Sequence, residues 1–497
     1  MSLIKKLYLS IALCLIVITA SYSNNLQITN LQVIANHKLT FTISWENSWN
    51  LDSTAEPNNH DAVWIFLKYR DNSGTWQHLD LSSNVSDHQS DSLTIETVTD
   101  GKGVFLKKKS KGSSNFISAN VTLNWTTTSL SGNFDFKVFG TEMVWIPHGS
   151  FYIGDGASNN SLSRGDKNAP YFVQSENTIK IGEDSLSLID TGTSAPAANI
   201  PLPFPKGYNG FYCMKYEITQ EQYVDFLNCL SYNQQAAHIT ASPTATPATF
   251  ALGTGNQNRN GIVIETSGKS DVLPAVFASN ASGNSVYNDA ADGQNRGCNF
   301  LNWNDLAAYL QWAALRPMTE LEFEKICRGP KPSVKQEFAW GTPYSIDANT
   351  LINDGTDTER VKENPGADTG IASYGYAGPQ GPLRAGFAAN QSSDRLKAGA
   401  SYYGAMEMSG DLWEMCIVLT KSGLNFTGIS GNGNLSDSGF ANIQGWPGTD
   451  CNGAGHKGGA FNSGIAGQFR DLAISDRFYV ATLPTVRRNT TGGRGVR

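Results

Sequence analysis

Short runs rich in apolar residues, some alternating with polar residues, recur along the first part of the chain. The clearest runs are 40–45, 62–69 and 121–125, which are rich in β-branched and aromatic residues and are separated by polar turns. A period of two residues places every second side chain on the same face, as in a half-buried β-strand. Short strands at this spacing predict an all-β sandwich of immunoglobulin or fibronectin type over residues 24–138.

Residues 298–341 show helical spacing instead. Leu306 and Leu310 fall on one face of a first helix, and a second helix is expected to begin after Thr319. Thr319 and Glu322 have the spacing of a capping box, in which each side chain accepts a hydrogen bond from the backbone N–H of the other residue. We therefore expect two short helices joined by a tight turn.

The composition is typical of a protein rich in loops and strands. Charged residues make up 16% of the 497 residues, below the roughly 25% of ordinary soluble domains. The length allows about two to four domains. The formal net charge of -7 argues against nucleic acid as a partner, because phosphate binding requires clustered Lys and Arg.

The N-terminus has the pattern of a secretory signal peptide, assigned to residues 1–23. Lys5 and Lys6 precede an apolar run at 7–20, and small residues follow it. The run is shorter than the roughly 20 residues that a membrane-spanning helix needs, and no other segment is a candidate span. We expect a soluble mature protein in the periplasm or outside the cell.

Six cysteines follow the expected signal peptide. An even number in an exported chain allows disulfides, although their connectivity cannot be read from the sequence. The absence of a CxxC pair argues against a tetrahedral zinc site. The six are Cys213, Cys229, Cys298, Cys327, Cys416 and Cys451.

Seven stretches follow one another in the order found in one protein family. They read MVWIPHGSFYIG at 143–154, EIT at 217–219, RPMTELEFE at 316–324, AWG at 339–341, YGAMEMSGDLWEM at 403–415, KGGAF at 457–461 and GGRG at 492–495. These stretches resemble the formylglycine-generating enzyme (sulfatase-modifying factor) family over residues 142–497. The resemblance implies an α+β fold related to C-type lectins, with much irregular structure, which here follows the β-sandwich.

The resemblance also implies where a copper site would lie. The family enzyme oxidises a cysteine of sulfatases to formylglycine with copper and oxygen, and two cysteines hold its copper. Ser463 and Gln468 occupy the matching positions in this chain. Because Cu(I) prefers soft thiolate ligands, copper is not expected here, and we assign no catalytic residue.

Iron is not expected either. Sister branches of the family, the sulfoxide synthases, bind iron through three histidines on an additional helical domain. The seven histidines of this chain show no HxxxH or HxH spacing, and no helical domain is predicted to carry them.

Calcium is the metal that the resemblance favours. The matched motif implies a structural site formed by the side chains of Glu407 and Glu414 and by the carbonyl oxygens of Gly410 and Leu412. All four are hard oxygen ligands of the kind that Ca²⁺ takes. Asn349, which follows the AWG motif, is expected to belong to a second site.

Three functions remain open from the sequence. The first is a binding or scaffold protein of the cell envelope without oxidase activity, and its partners would be envelope proteins or glycans. The second is a metal-dependent oxidoreductase of the same family with altered ligands. The third is a sugar-binding protein similar to a C-type lectin. The metal content of the purified protein and glycan screening separate these hypotheses.

Overall fold

The computed structural model describes residues 25–34, 37–71, 74–126, 134–167, 169–190, 198–253, 257–390, 393–466 and 469–497. The expected signal peptide at 1–23 and the position of Gln468 lie outside these ranges. In the ranges described, every helix is too short or too polar to cross a membrane.

The described chain begins with a series of strands that includes the three runs rich in β-branched and aromatic residues. The strands are β1 (Gln27–Ile34), β2 (Lys38–Asn50), β3 (Asp61–Arg70), β4 (Trp76–Leu79), β5 (Gln89–Ser90), β6 (Leu93–Thr97), β7 (Val104–Lys108), β8 (Gly112–Asn124) and β9 (Asp135–Ile146).

These strands form two antiparallel sheets that pack face to face. One sheet has the order β1-β2-β8-β5, and the other has the order β9-β3-β7-β6 with β4 paired to β3. Leu39 and Phe41 of β2 share a core with Val63 of β3 and Leu106 of β7. Alternate side chains of each strand therefore fill the space between the sheets, as expected for a sandwich.

Strand β3 is buried on both faces. Val63 faces the core between the two sheets, whereas Trp64 and Phe66 belong to the core of the rest of the chain. Trp64 Nε1 donates a hydrogen bond to the carbonyl oxygen of Ala313 at 2.9 Å, and the Phe66 ring lies 5.0 Å from the Trp312 ring. The second sheet is thus the middle layer of three.

Strand β9 crosses the boundary expected between residues 138 and 142. It pairs with β3 along its length, and its residues 143–146 pair with β14 (Phe211–Met214) on the other side. The sandwich and the region that follows it therefore share one sheet, and no linker separates them at this point.

The rest of the described chain consists of short strands and short helices. They are β10 (Phe151–Ile153), β11 (Leu162–Arg164), β12 (Tyr171–Val173), β13 (Leu188–Asp190), β14 (Phe211–Met214), α1 (Gln220–Leu227), α2 (Tyr232–His238), β15 (Ile262–Thr266), β16 (Val276–Ser279), α3 (Trp303–Trp312), α4 (Glu320–Arg328), β17 (Tyr344–Asp347), β18 (Leu351–Ile352), β19 (Arg360–Val361), β20 (Thr369–Ala372), β21 (Trp413–Ile417), β22 (Ala454–Lys457), β23 (Ile465–Ala466), β24 (Phe469–Arg470) and β25 (Thr491–Gly492).

The expected helix pair is present as α3 and α4. The capping box of Thr319 and Glu322 opens α4, and Gly329 ends it with a φ of 62°. Helix α3 begins at Trp303, where Asn302 and Asp305 form a second capping box. Helix α2 lies in a stretch for which the sequence predicted no helix.

The architecture is mixed α/β, with many strands and few helices, which agrees with the α+β class expected for the family. The six cysteines in the described residues are all buried and free, so none of the allowed disulfides forms among them. The central feature for function is the three-stranded sheet β22-β21-β25, because the matched motif at 403–415 leads into its middle strand.

Candidate functional site

A tight turn at residues 405–412 leads into β21 and carries three of the expected calcium ligands. Its residues Glu407, Gly410 and Asp411 have left-handed backbone conformations, with φ of 56°, 90° and 62°. A Cβ on Gly410 would lie 2.4 Å from the carbonyl oxygen of Ser373, so the position requires glycine. Non-glycine residues in this conformation are strained, and such strain is concentrated at functional sites.

Four buried carboxyl groups meet around this turn: Glu217, Glu407, Asp411 and Glu414. The four residues are between 0% and 8% exposed to solvent. The first three each accept one backbone N–H: Leu412 donates to Glu217 Oε1 at 3.2 Å, Gly386 to Glu407 Oε1 at 3.0 Å, and Leu383 to Asp411 Oδ1 at 2.9 Å. We call these four residues the carboxylate cluster.

Arg494 forms an ion pair with one member of the carboxylate cluster, Glu414. Its Nε and Nη2 both lie 2.7 Å from Oε1 of Glu414, and both residues are fully buried. The remaining guanidinium hydrogens go to backbone carbonyls: Nη1 donates to Met214 and Lys215, and Nη2 donates to Met406 at 2.6 Å. Arg494 thereby joins the motif at 403–415 to the end of the chain.

Three carboxylate oxygens of the cluster receive no donor from the described residues: Oε2 of Glu217, of Glu407 and of Glu414. Burial, with the nearby charge of Asp411, raises the pKa of Glu407 to about 8. Burial also raises the pKa of Asp411 to about 7 and that of Glu217 well above its usual value. A further cation between these groups would favour their ionised forms.

Glu217 and Asp411 approach one another beside Gly297. A Cβ on Gly297 would lie 2.7 Å from Glu217 Oε2 and 3.3 Å from Asp411 Oδ2, so the glycine leaves room for both carboxyl groups. Each of the two charges raises the cost of ionising the other in this buried setting. The pair therefore retains protons more strongly than either carboxyl group would in water.

The residues expected to bind calcium fit the ion chemically. Glu407 and Glu414 each present one carboxylate oxygen that receives no donor from any residue in the described ranges. Among the described residues, no N–H or O–H donates to the carbonyl oxygens of Gly410 or Leu412, although both residues are buried. Buried carbonyl groups ordinarily have partners, and hard oxygen atoms without donors suit Ca²⁺.

Asn349 does not join this cluster. It is exposed, follows β17, and donates its backbone N–H to the carbonyl oxygen of Asp347 at 2.9 Å. Across the described ranges, no set of three or more His, Cys, Asp or Glu side chains is arranged to hold a metal ion. A cation in the turn would thus depend on the two carbonyl oxygens as well as on Glu407 and Glu414.

The first expected copper position is occupied by a buried serine in a turn after β22. The Ser463 hydroxyl accepts the N–H of Ala460 at 3.0 Å and also hydrogen-bonds to the Asp471 carboxyl group. Burial and the charge of Asp476 raise the pKa of Asp471 to about 6. Hydroxyl and carboxyl oxygens are hard donors, so this position does not fit Cu(I).

Sequence reasoning missed Glu217, Asp411 and Arg494 as members of the site. All three lie within stretches that carry the family resemblance, EIT, GDLWE and GGRG. Their position within these stretches was the signal that could have identified them. The three side chains come together, however, only through contacts between segments that are far apart in the chain.

Comparison with protein-family models identifies a match that covers most of the chain. A family model described as sulfatase-modifying factor enzyme 1-like domain matches residues 134–496. A search of curated proteins finds no match.

Proposed function

The chain belongs to the sulfatase-modifying factor family, and on this premise we propose that it is an exported binding or scaffold protein of the cell envelope without formylglycine-generating oxidase activity. Its partners would be envelope proteins or glycans, in line with the relation of the family fold to C-type lectins. The expected secretory signal is the basis for placing it in the periplasm or outside the cell.

The observation that carries this proposal is the chemistry at Ser463. The family oxidase needs a thiolate at this position, and here a hydroxyl group is engaged by Ala460 and Asp471. Thiols elsewhere in the described chain are poorly suited to replace it. Burial raises the pKa of the thiols nearest the matched motifs, Cys327 and Cys416, well above the usual value, which disfavours the thiolates that bind copper.

We further propose a structural calcium ion in the turn at 405–412. Glu407, Glu414 and the carbonyl oxygens of Gly410 and Leu412 would hold it. The ion would offset the mutual repulsion of the carboxylate cluster and fix the strained turn. This role stabilises the fold and requires no redox chemistry.

The shared sheet supports a scaffold role. Strand β9 bonds to β3 of the sandwich and to β14 of the family domain, so a partner bound to either region would be held in a fixed orientation to the other. The hydrogen bond from Lys68 to the carbonyl oxygen of Trp312, at 2.7 Å, adds a buried polar contact between the two regions.

The oxidase half of the proposal is tested with a peptide that carries a sulfatase-type cysteine motif. The mature protein, loaded with Cu(I) and supplied with oxygen and reductant, should yield no aldehyde by mass spectrometry, while an active family oxidase run in parallel yields product. Copper-dependent aldehyde formation by this protein would contradict the proposal and would favour an oxidoreductase with altered ligands.

A further inference from the structure

A cavity of about 500 Å³ opens at the boundary between the sandwich and the family domain. The sandwich contributes the loop at 51–60, Glu96 of β6 and Lys107 of β7 to its lining, and the family domain contributes Trp145 of β9 and Tyr212 of β14. This volume lies within the range of small-molecule sites. The lining includes neither the turn at 405–412 nor the expected copper position at Ser463.

A chain of hydrogen bonds runs along the wall of this cavity. His60 Nδ1 lies 2.8 Å from Asp52 Oδ1, and His60 Nε2 lies 2.8 Å from the hydroxyl group of Tyr212. That hydroxyl group donates to Glu96 Oε2 at 2.7 Å. His60 and Tyr212 are only 3% and 5% exposed, so the buried middle of the chain holds the carboxylates of Asp52 and Glu96 in fixed positions at its two ends.

Aromatic rings pack around the middle of this chain. The Phe105 ring stacks on the Tyr212 ring with centroids 3.8 Å apart, and the Trp145 ring lies 4.8 Å from Tyr212 and 6.1 Å from His60. Trp145 is half-buried and lines the cavity. An aromatic side chain in this position offers a ligand an apolar surface beside the polar wall.

The carboxylate of Asp52 and two ammonium groups stand too far apart for hydrogen bonds. Lys107 Nζ forms an ion pair with Glu96 and lies 3.8 Å from Asp52 Oδ2, and Lys111 Nζ lies 4.0 Å from the same oxygen. A hydroxyl group placed between Lys107 and Asp52 can accept from the ammonium group and donate to the carboxylate at normal lengths. A ligand ammonium group only donates and a ligand carboxylate only accepts, so neither can bridge this pair.

The charged side chains at the cavity also balance one another. The carboxylates of Asp52 and Glu96 are matched by the ammonium groups of Lys107 and Lys111. Burial lowers the pKa of His60 below its ordinary value, against the opposing effect of its hydrogen bond to Asp52, which favours a neutral imidazole at neutral pH. A neutral ligand preserves this balance, whereas an ionic ligand would add an unmatched charge.

We propose that this cavity binds a neutral saccharide, with one hydroxyl group bridging Lys107 and Asp52 and the C–H face of a sugar ring against Trp145. A saccharide carries several hydroxyl groups beside an apolar face, so it matches both the polar and the aromatic parts of the wall. The inference rests on the proposed function, in which glycans are one class of partner, and it assigns them a site and a chemical class.

The test is saturation-transfer NMR of the full-length mature protein with maltose, cellobiose and N,N′-diacetylchitobiose. The charged counterpart of the last probe is the glucosamine disaccharide, which carries ammonium groups in place of the N-acetyl groups. We expect a neutral disaccharide to bind and the charged one to bind more weakly. Absence of binding by all three neutral probes, or tighter binding of the charged probe, would overturn the proposal.

Variants locate the site. Lys107→Met keeps the apolar stem and removes the ammonium group, so we expect the affinity for the bound disaccharide to fall at least about tenfold. Lys102→Met is the matched control, because Lys102 also pairs with one carboxylate, that of Asp80 at 2.7 Å, and does not line the cavity. Asp52→Asn keeps the side-chain shape and should weaken binding as well.

Unchanged affinity in folded Lys107→Met and Asp52→Asn would show that the saccharide binds elsewhere and would overturn the assignment. These results are independent of the aldehyde assay, because no lining residue of the cavity lies near the turn that holds Ser463 in the sequence. A failure here would remove neutral saccharides from the partners proposed above, whereas only aldehyde formation would contradict the loss of oxidase activity.

Discussion

Arg494 and Glu414 form a fully buried ion pair in which Nε and Nη2 both lie 2.7 Å from one carboxylate oxygen. The pair joins the middle strand of the three-stranded sheet to the closing segment of the chain. Among the described residues, no donor reaches the other oxygen of Glu414, which is the atom that we assign to the proposed calcium ion. One carboxylate thus serves both the fold and the proposed calcium site.

Removing Arg494 should destabilise the protein strongly. Arg494→Leu leaves Glu414 as an unpaired buried charge and removes donors from three backbone carbonyl groups, so we expect a loss of about 3–5 kcal/mol in the free energy of unfolding. Urea denaturation measures the change. Arg70→Leu, which breaks an exposed pair with Asp135, should cost less than about 1 kcal/mol. Similar losses in both variants would contradict this account of the buried pair.

Calcium should raise the melting temperature of the wild type. An ion that binds only the folded state stabilises it by ~2.7 kcal/mol when its free concentration is about a hundred times the dissociation constant. Glu407→Gln should reduce the difference between melts in calcium and in chelator, since it removes one anionic ligand. The control Glu183→Gln changes an exposed acid outside the turn at 405–412, so it should leave the difference between the melts in calcium and in chelator unchanged. Identical melts of the wild type in calcium and in chelator would refute the calcium site.

The pH dependence of the calcium-free protein should have a definite sign. Because the pKa of Glu407 is about 8 when folded and about 4.5 when unfolded, the folded state holds an additional proton between these pH values. Stability should then fall as pH rises from about 5 to 8. In chelator, Glu407→Gln should show a shallower fall in melting temperature than the wild type. Parallel curves for the two proteins would contradict the raised pKa of Glu407.

The sandwich should not fold well without the family domain. A fragment of residues 25–138 loses the partners of Trp64 and Phe66, which Ala313 and Trp312 supply in the whole chain. It also loses residues 139–146, the last two thirds of β9. We expect a broad thermal transition and binding of a hydrophobic dye. A sharp transition with a strand-type circular dichroism spectrum would show that the sandwich is an independent domain.

Local signals in the sequence were sufficient for individual elements. The run of β-branched and aromatic residues at 62–69 predicted β3, and the spacing of Thr319 and Glu322 predicted the start of α4, because each signal depends on neighbours within a few residues. The same local reading did not reveal that β9 continues past residue 138. Its pairing with β14 places Met143 opposite Met214, although the two residues are far apart in the chain. Neither segment contains a local signal that identifies the other as its partner.

The candidate site was predictable only where a motif contained it. Glu407 and Glu414 lie in one short stretch, so the resemblance identified both. Glu217 reaches the same cluster from the start of another stretch, and Arg494 comes from the end of the chain. Their convergence is a consequence of tertiary packing, and the sequence alone does not specify which acidic residues are buried together.

The most direct measurement of the central claim is the metal content of the purified mature protein. After exposure to calcium and to Cu(I) and removal of unbound ions, elemental analysis should find about one calcium per chain and no stoichiometric copper. Glu407→Gln should lower the calcium content. Stoichiometric copper together with absent calcium would contradict both the loss of the oxidase site at Ser463 and the calcium site at Glu407 and Glu414.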